Sequence, residues 1–174
     1  MVAVSSNQFV VFATLCSIIW QVGFVLGGAI GKKECNEAVG LQSGDVDDKD
    51  IKVSSKRKDF DVLDAWCPSI INRKQYFQLN LGLKTKITKV STQGRLGDLD
   101  RHVKSYRLYY SMDGHDWRVY KRDGVDKIFK GNKNSFDVVD HNIHPAIVAK
   151  YIRINPTAWK NDICLRVEYY GCDA

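Results

Sequence analysis

The chain has 174 residues, of which 44 % are hydrophobic and 26 % are charged, which excludes wholesale disorder and suits one globular domain. Lysine and arginine number 26 against 20 aspartate and glutamate residues, giving a formal net charge of +6. This excess favours acidic partners such as anionic lipid, sulfated glycan or nucleic acid, or else simply keeps the protein soluble.

The first element in chain order is an uncharged N-terminal segment. Residues 1–29 contain no Asp, Glu, Lys or Arg, and residues 9–26 form an apolar run. Small residues at Gly27 and Ala29 suit cleavage after Ala29, which predicts a secretory signal peptide over 1–29 and a single mature domain over 30–174. The alternative is an uncleaved membrane anchor, although polar residues interrupt the apolar run.

Cysteine usage agrees with export. Cys16 lies in the predicted signal peptide, and four cysteines remain after it: Cys35, Cys67, Cys164 and Cys172. In an oxidising compartment, four cysteines predict two disulfides with three possible connectivities. No CxxC pair occurs, which disfavours a zinc site. We therefore expect a secreted, extracellular protein.

Alternation of apolar and polar residues with period two dominates the mature chain. It is typical of half-buried strands and occurs over 76–83, 105–111, 151–155 and 163–171. Turn signals such as Asp113-Gly114 separate these segments. The pattern predicts an all-β fold, either an antiparallel sandwich or a barrel, with Trp66 and Trp117 in its core.

Enzyme motifs are missing from the sequence. It contains no nucleophile elbow, no zinc-binding helix motif and no phosphate-cradling glycine loop. His141 and His144 have the spacing of a metal pair but no third ligand, so no metal site is predicted. These observations give an enzyme little support, although the residues alone leave paired catalytic carboxylates open.

Motifs along the mature chain resemble those of the discoidin domain, also called the coagulation factor V/VIII type C domain. They include "AWCP" at 65–68, "FQLNLG" at 77–82, "SYRLYYSMDGHDW" at 105–117 and "LRVEYYGC" at 165–172. Within the family, they are most similar to the N-terminal domain of discoidin domain receptors. The resemblance implies an eight-stranded antiparallel jelly-roll β-sandwich of the galactose-binding-domain-like type. It also implies the disulfide pairs Cys35–Cys172 and Cys67–Cys164.

The resemblance further implies a non-enzymatic scaffold that binds galactose-type sugars, phosphatidylserine membranes, collagen or cell-surface proteins. In this family, ligands bind on loops at the end of the barrel away from the termini. Three segments of this chain map to that end, and we call them the first, second and third rim segments: 54–64, 94–102 and 156–162. We expect no nucleic-acid partner, and the oligomeric state stays open.

The first rim segment carries a basic cluster, Lys56, Arg57 and Lys58, which can meet phosphate or sulfate by charge. Phe60 is its only aromatic residue. Many relatives have a longer loop with an aromatic spike here, so the short segment argues against deep membrane insertion and receptor-like collagen binding. The alternative interpretation is a solvated loop without a ligand.

The second rim segment carries Arg95, which the resemblance places in the ligand groove together with nearby acids, Asp64, Asp98 and Asp100. A guanidinium binds a carboxylate or a pair of sugar hydroxyls through its fixed geometry. The alternative is an internal Arg95–Asp100 pair that only shapes the loop.

The third rim segment places Trp159 beside Lys160 and Asn161. An exposed tryptophan next to polar side chains suits sugar stacking or interfacial binding. The alternative is a tryptophan folded back onto the barrel, because large aromatic side chains are mostly buried.

No cofactor is expected. Some relatives bind calcium near the terminal strands, where Glu168 with Asp48 or Asp50 is the weak candidate here, but the sequence has no dense carboxylate loop. Asn80 stands where relatives carry Asp.

The sequence thus predicts a secreted adhesion protein or lectin that recognises a glycan, a matrix protein or a cell-surface protein through the rim. A second hypothesis is a binder of anionic, phosphatidylserine-containing membranes, led by the basic cluster and helped by Phe60 and Trp159. A third is a membrane-tethered adhesion protein that keeps its N-terminal segment.

Overall fold

The computed structural model describes residues 34–58, 64–97 and 99–174. The predicted signal peptide, its anchor alternative, Phe60 and Asp98 lie outside this part of the chain. Among the described residues, no helix combines the length and the apolar character needed to cross a membrane.

The regular secondary structure of the described residues consists almost entirely of antiparallel strands. In chain order they are β1 (Glu37–Ala38), β2 (Ile51–Val53), β3 (Phe77–Gln93), β4 (His102–Ser111), β5 (Arg118–Val119), β6 (Lys121–Arg122), β7 (Val125–Asp126), β8 (Phe129–Lys130), β9 (Val139–Lys160) and β10 (Arg166–Asp173). A short 3-10 helix over Asp48–Asp50 precedes β2.

Eight of these strands form one sheet in the order β1-β10-β3-β9-β4-β5, with β2 added to β3 and β8 added to β4. Strands β6 and β7 form a separate hairpin. The predicted all-β, eight-stranded antiparallel fold is therefore confirmed for the described residues.

The long strands β3 and β9 organise the sandwich. Their pairing is interrupted between Asn80 and Thr85, and again between Ile87 and Lys89. Interruptions of this kind let one strand bend and contribute to both layers of a sandwich. As a result, β3 pairs with β2 through its first residues and with β10 through its last.

The core lies between the layers and consists of the apolar residues of the alternating segments. Leu79, Ile87, Leu108 and Ile154 are fully buried, and so is Trp66, as predicted. The prediction that Trp117 also lies in the core is wrong.

That second tryptophan, Trp117, is only partly buried and lies outside the core cluster. The guanidinium of Arg153 lies 3.8 Å from the centre of its ring, and its indole nitrogen donates to the carbonyl of Gly114 at 3.1 Å. A cation over the ring and a hydrogen-bond acceptor at the indole edge suit a position at the surface.

Two disulfides join distant parts of the chain, in the pairs that the resemblance implies. Cys35 is bonded to Cys172, and Cys67 is bonded to Cys164. They span 137 and 97 residues of sequence, so each removes much conformational freedom from the unfolded chain.

Candidate functional site

The described residues of the three rim segments lie at one end of the sheet. At that end β10 begins, with Arg166 opposite Gln93, and β4 begins, with His102 opposite Lys160. The other end of β10 pairs Asp173 with Thr85, next to the Cys35–Cys172 disulfide. The rim is therefore separated from that disulfide by the length of β10.

The first rim segment is held against the third by an ion pair. The Nη1 atom of Arg57 lies 2.6 Å from the Oδ2 atom of Asp162. Lys56 and Lys58 are exposed on either side. The predicted basic cluster thus has its middle member in an internal contact and its outer members in solvent.

The second rim segment meets the end of the first through Arg95. The Nε atom of Arg95 lies 3.9 Å from the Oδ2 atom of Asp64, and the Arg95 backbone N–H donates to the carbonyl of Arg101 at 3.1 Å. The Arg95 side chain is 23 % exposed and that of Asp64 is 63 % exposed. A separation of 3.9 Å is an ion pair without a direct hydrogen bond, so the Asp64 carboxylate retains accessible acceptor positions.

The Asp100 side chain forms contacts with other side chains of the protein. Its Oδ1 atom accepts the hydroxyl of Ser135 at 2.7 Å and lies 2.9 Å from the Nδ1 atom of His102. The hydrogen bond from Ser135, with a further contribution from His102, holds the pKa of Asp100 below its usual value. Asp100 therefore shapes the second rim segment, and the described ion pair of Arg95 is made with Asp64.

The third rim segment presents Lys160 and turns Trp159 inward. Trp159 is half-buried and packs against the core, while Lys160 is exposed. Asn161 has a left-handed backbone with φ of 56°, which asparagine tolerates better than most residues, and its amide donates to the carbonyl of Asp100 at 2.9 Å. This contact joins the third rim segment to the second.

A cavity of about 250 Å³ lies beside the Arg95–Asp64 pair. Its polar lining comes from Gln42, Asp64, Gln93 and Arg166, and its apolar lining from Leu41, Ile51, Phe77, Leu165 and Val167. An apolar pocket with a few polar groups is the usual form of a small-ligand site.

Sequence reasoning missed the strand residues of this cavity. Gln93 and Arg166 occupy polar positions of alternating strands, where a solvent-facing role is the default interpretation. The Nε atom of Arg166 donates to the carbonyl of Gly94 at 3.1 Å, and its buried Nη2 atom has no hydrogen-bond partner among the described residues. Only the strand register, which brings Arg166 opposite Gln93, gathers these side chains.

Glu168, the central residue considered for calcium, has other partners. The buried carboxylate of Glu168 accepts the backbone N–H groups of Gly40, Gln42 and Tyr169 at 3.2, 2.9 and 3.0 Å. Within the described parts of the chain, no three metal-ligating side chains come together. Glu168 instead fastens the segment after β1 to β10.

Asn80 also has a definite role. Its amide nitrogen donates to Asp50 at 2.9 Å, and its amide oxygen accepts the backbone N–H of Gly82 at 3.0 Å. An aspartate here would place a second carboxylate against Asp50 and could not donate this bond when ionised.

The antiparallel sandwich, the Cys35–Cys172 disulfide and the loop-built rim define a β-sandwich binding module. The chain belongs to the F5/8 type C domain family, since the family model matches residues 43–169. The resemblance inferred from the sequence motifs is confirmed.

Two relatives of the chain are much longer proteins. Human neuropilin-2 is 31 % identical over 152 residues, which is 80 % of this chain and 16 % of that protein. Bovine coagulation factor V is 34 % identical over 157 residues, which is 80 % of this chain and 7 % of that protein. The chain thus corresponds to a small part of each.

Solved structures agree with the fold. Discoidin II of Dictyostelium discoideum is 27 % identical with a TM-score of 0.64, covering 78 % of this chain and 58 % of that one. The family 32 carbohydrate-binding module of C. perfringens NanJ, solved in complex with galactose, has a TM-score of 0.57 at 12 % identity, covering 78 % of this chain and 98 % of that one. At that identity the second likeness concerns the fold alone.

Proposed function

We propose that this chain is a secreted, non-enzymatic binding module, an adhesion protein or lectin, that recognises an extracellular glycan or protein through its rim. The observation that carries the proposal is the Arg95–Asp64 pair beside the cavity of about 250 Å³. A carboxylate and a guanidinium next to an apolar surface offer an acceptor, a set of donors and a packing face together.

These groups suit a ligand that carries hydroxyls. The exposed Asp64 carboxylate can accept from a hydroxyl, while the partly exposed Arg95 side chain can donate to ring or carbonyl oxygens. The apolar part of the cavity can pack against the C–H face of a sugar or a short aliphatic side chain. The galactose of the NanJ complex is a ligand of that protein, so the sugar class proposed here rests on these side chains alone.

A screen of glycans and matrix proteins tests the proposal. Arg95→Ala and Asp64→Asn should each weaken the best ligand by about tenfold or more, because each removes a charged hydrogen-bonding group worth roughly 1.5–3 kcal/mol. The matched control is Arg122→Ala, an exposed arginine in β6. Wild-type affinity in both rim variants, with their thermal unfolding unchanged, would rule out the Arg95–Asp64 site.

A second candidate function, binding to anionic membranes, rests on exposed apolar side chains. Leu96 and Leu99 are exposed in the second rim segment, and Phe136 is exposed in the turn that Ser135 bonds to that segment. Apolar side chains beside basic ones are typical of membrane-surface contacts. Sedimentation with vesicles, with and without phosphatidylserine and at low and high salt, tests it through a Leu96→Ser/Leu99→Ser variant.

Secretion itself needs a separate test. N-terminal sequencing of protein collected from the medium of expressing cells should begin near Ile30. Recovery of the chain only from membranes, with an intact N-terminus, would support the tethered alternative instead.

A further inference from the structure

We propose that a second site, a lysine-lined groove that extends from the rim, binds a sulfated glycan chain. The groove has a volume of about 430 Å³, and four lysines line it: Lys104, Lys130, Lys133 and Lys160. We call it the lysine groove. It shares three residues with the rim segments, Asp100, His102 and Lys160, but none with the cavity beside Arg95 and Asp64, so the inference does not depend on that cavity.

The sheet brings these lysines together through an irregularity in β4. Val103 pairs with Trp159, and Ser105 pairs with the residue that precedes Trp159 in β9. Lys104 has no partner of its own in β9 and is the extra residue of a β-bulge. Bulges redirect the side chain of the extra residue. Ser105 also pairs with Lys130 of β8, which places a second lysine next to the bulge.

The segment after β8 is pressed tightly onto β4. The N–H of Gly131 donates to the carbonyl of Lys104, and the N–H of Asn132 donates to the carbonyl of Val103, both at 2.8 Å. A Cβ atom on Gly131 would lie 2.3 Å from the Val103 carbonyl oxygen, so only glycine allows this approach. The close contact fixes the backbone of the lysines that flank it.

Two buried polar residues complete the groove. His102 and Asn132 are each 2 % exposed. His102 is held by Asp100, and the Asn132 amide donates to the carbonyls of Thr92 and Asp137 at 3.0 and 2.7 Å. The groove is therefore a preorganised polar surface, which reduces the ordering cost of binding.

The lysine charges in the groove face solvent. All four lysines are exposed, and none forms an ion pair with a residue in the part of the chain that the structure describes. The one lining carboxylate, Asp100, already accepts hydrogen bonds from Ser135 and His102. Several like charges around one concave surface concentrate positive potential there and attract a multiply charged anion.

The lining favours a sulfated glycan over the other polyanions. Its eight residues are polar, charged or glycine, so it offers no apolar side chain for insertion into a membrane. It also offers no exposed aromatic ring on which a nucleic-acid base could stack. Lysines on flexible stems act as point charges and suit sulfates spaced along a hydrophilic chain.

Heparin, with fully desulfated heparin as its control, is the probe. Affinity of the secreted protein is measured over a series of NaCl concentrations. The variant Lys104→Gln/Lys130→Gln/Lys133→Gln should bind heparin at least about tenfold more weakly, with a log K against log salt slope shallower by about one per lysine removed. Desulfated heparin should not bind measurably.

The matched control is Lys84→Gln/Lys86→Gln/Lys150→Gln, which removes the same charge from exposed lysines away from the rim. It should bind heparin like the wild type. Equal losses in both triple variants would reduce the effect to net charge and overturn the proposal. So would equal binding of desulfated heparin, or binding of phosphatidylserine vesicles through the groove lysines without binding of heparin.

Discussion

The Nη1 atom of Arg57 lies 2.6 Å from the Oδ2 atom of Asp162 and thereby links two rim segments that are 105 residues apart in sequence. The two side chains are 35 % and 12 % exposed. The other carboxylate oxygen of Asp162 accepts the backbone N–H of Ile163 at 2.9 Å, and the backbone N–H of Arg57 donates to Cys67 at 3.0 Å. The ion pair is therefore built into the base of the rim.

Replacing Arg57 by alanine should lower the free energy of unfolding by about 1–3 kcal/mol, because Asp162 would lose its ion partner while remaining largely buried. Urea unfolding with the disulfides intact measures the change. Lys58→Ala, which removes an equal charge from an exposed neighbour, should change the stability by less than about 0.5 kcal/mol. Equal effects of the two substitutions would contradict a structural role for the pair.

Glu168→Gln should also destabilise the protein, for a different reason. The carboxylate accepts three backbone N–H groups with its two oxygens, and a glutamine presents an NH2 group to at least one of them. One donor is then left facing another donor, at a cost of about 1–3 kcal/mol.

The same urea unfolding experiment serves for Glu168, with the exposed Glu34→Gln as its control. Hydrogen exchange should in addition show faster exchange of the amides of Gly40 and Gln42. Unchanged exchange at both amides would mean that the carboxylate does not hold this segment.

The turn after β4 gives a prediction about pH. The Oδ1 atom of Asp113 accepts the backbone N–H groups of Asp116 and His115 and the hydroxyl of Ser111, and these bonds lower its pKa from 3.8 to about 2. A carboxyl with a lowered pKa in the folded state stabilises the fold above its unfolded pKa, and this stabilisation is lost as the pH falls through the folded value.

The stability difference between the wild type and Asp113→Asn should therefore shrink as the pH falls from about 4 to about 2. An NMR titration of the Asp113 carboxyl measures the pKa directly. A midpoint near 3.8, the usual value, would show that the turn does not hold the charge.

Much of the fold follows from local sequence. Period-two alternation locates the cores of β3, β4, β9 and β10, because each has one buried face that must be apolar. The alternation does not reveal that β3 and β9 continue through bends and serve both layers, since those bends depend on pairing with distant strands.

The rim is less predictable than the strands. Arg95 lies near Asp64, one of the three acids considered for it. Arg57, which looks in the sequence like part of a basic cluster, pairs with Asp162. The β-bulge that redirects the side chain of Lys104 arises only from the register of β4 with β9. Ion pairs and bulges depend on register, which single-sequence patterns do not encode.

The Cys35–Cys172 bond also has a mechanical consequence. Its two Cα atoms lie 4.8 Å apart, so the chain enters and leaves the domain at a single pole. A force applied between Cys35 and Cys172 is carried by the disulfide bond and does not load the backbone hydrogen bonds between the strands. A tether attached at that end would, under tension, keep the rim at the opposite end of the domain, away from the point of attachment.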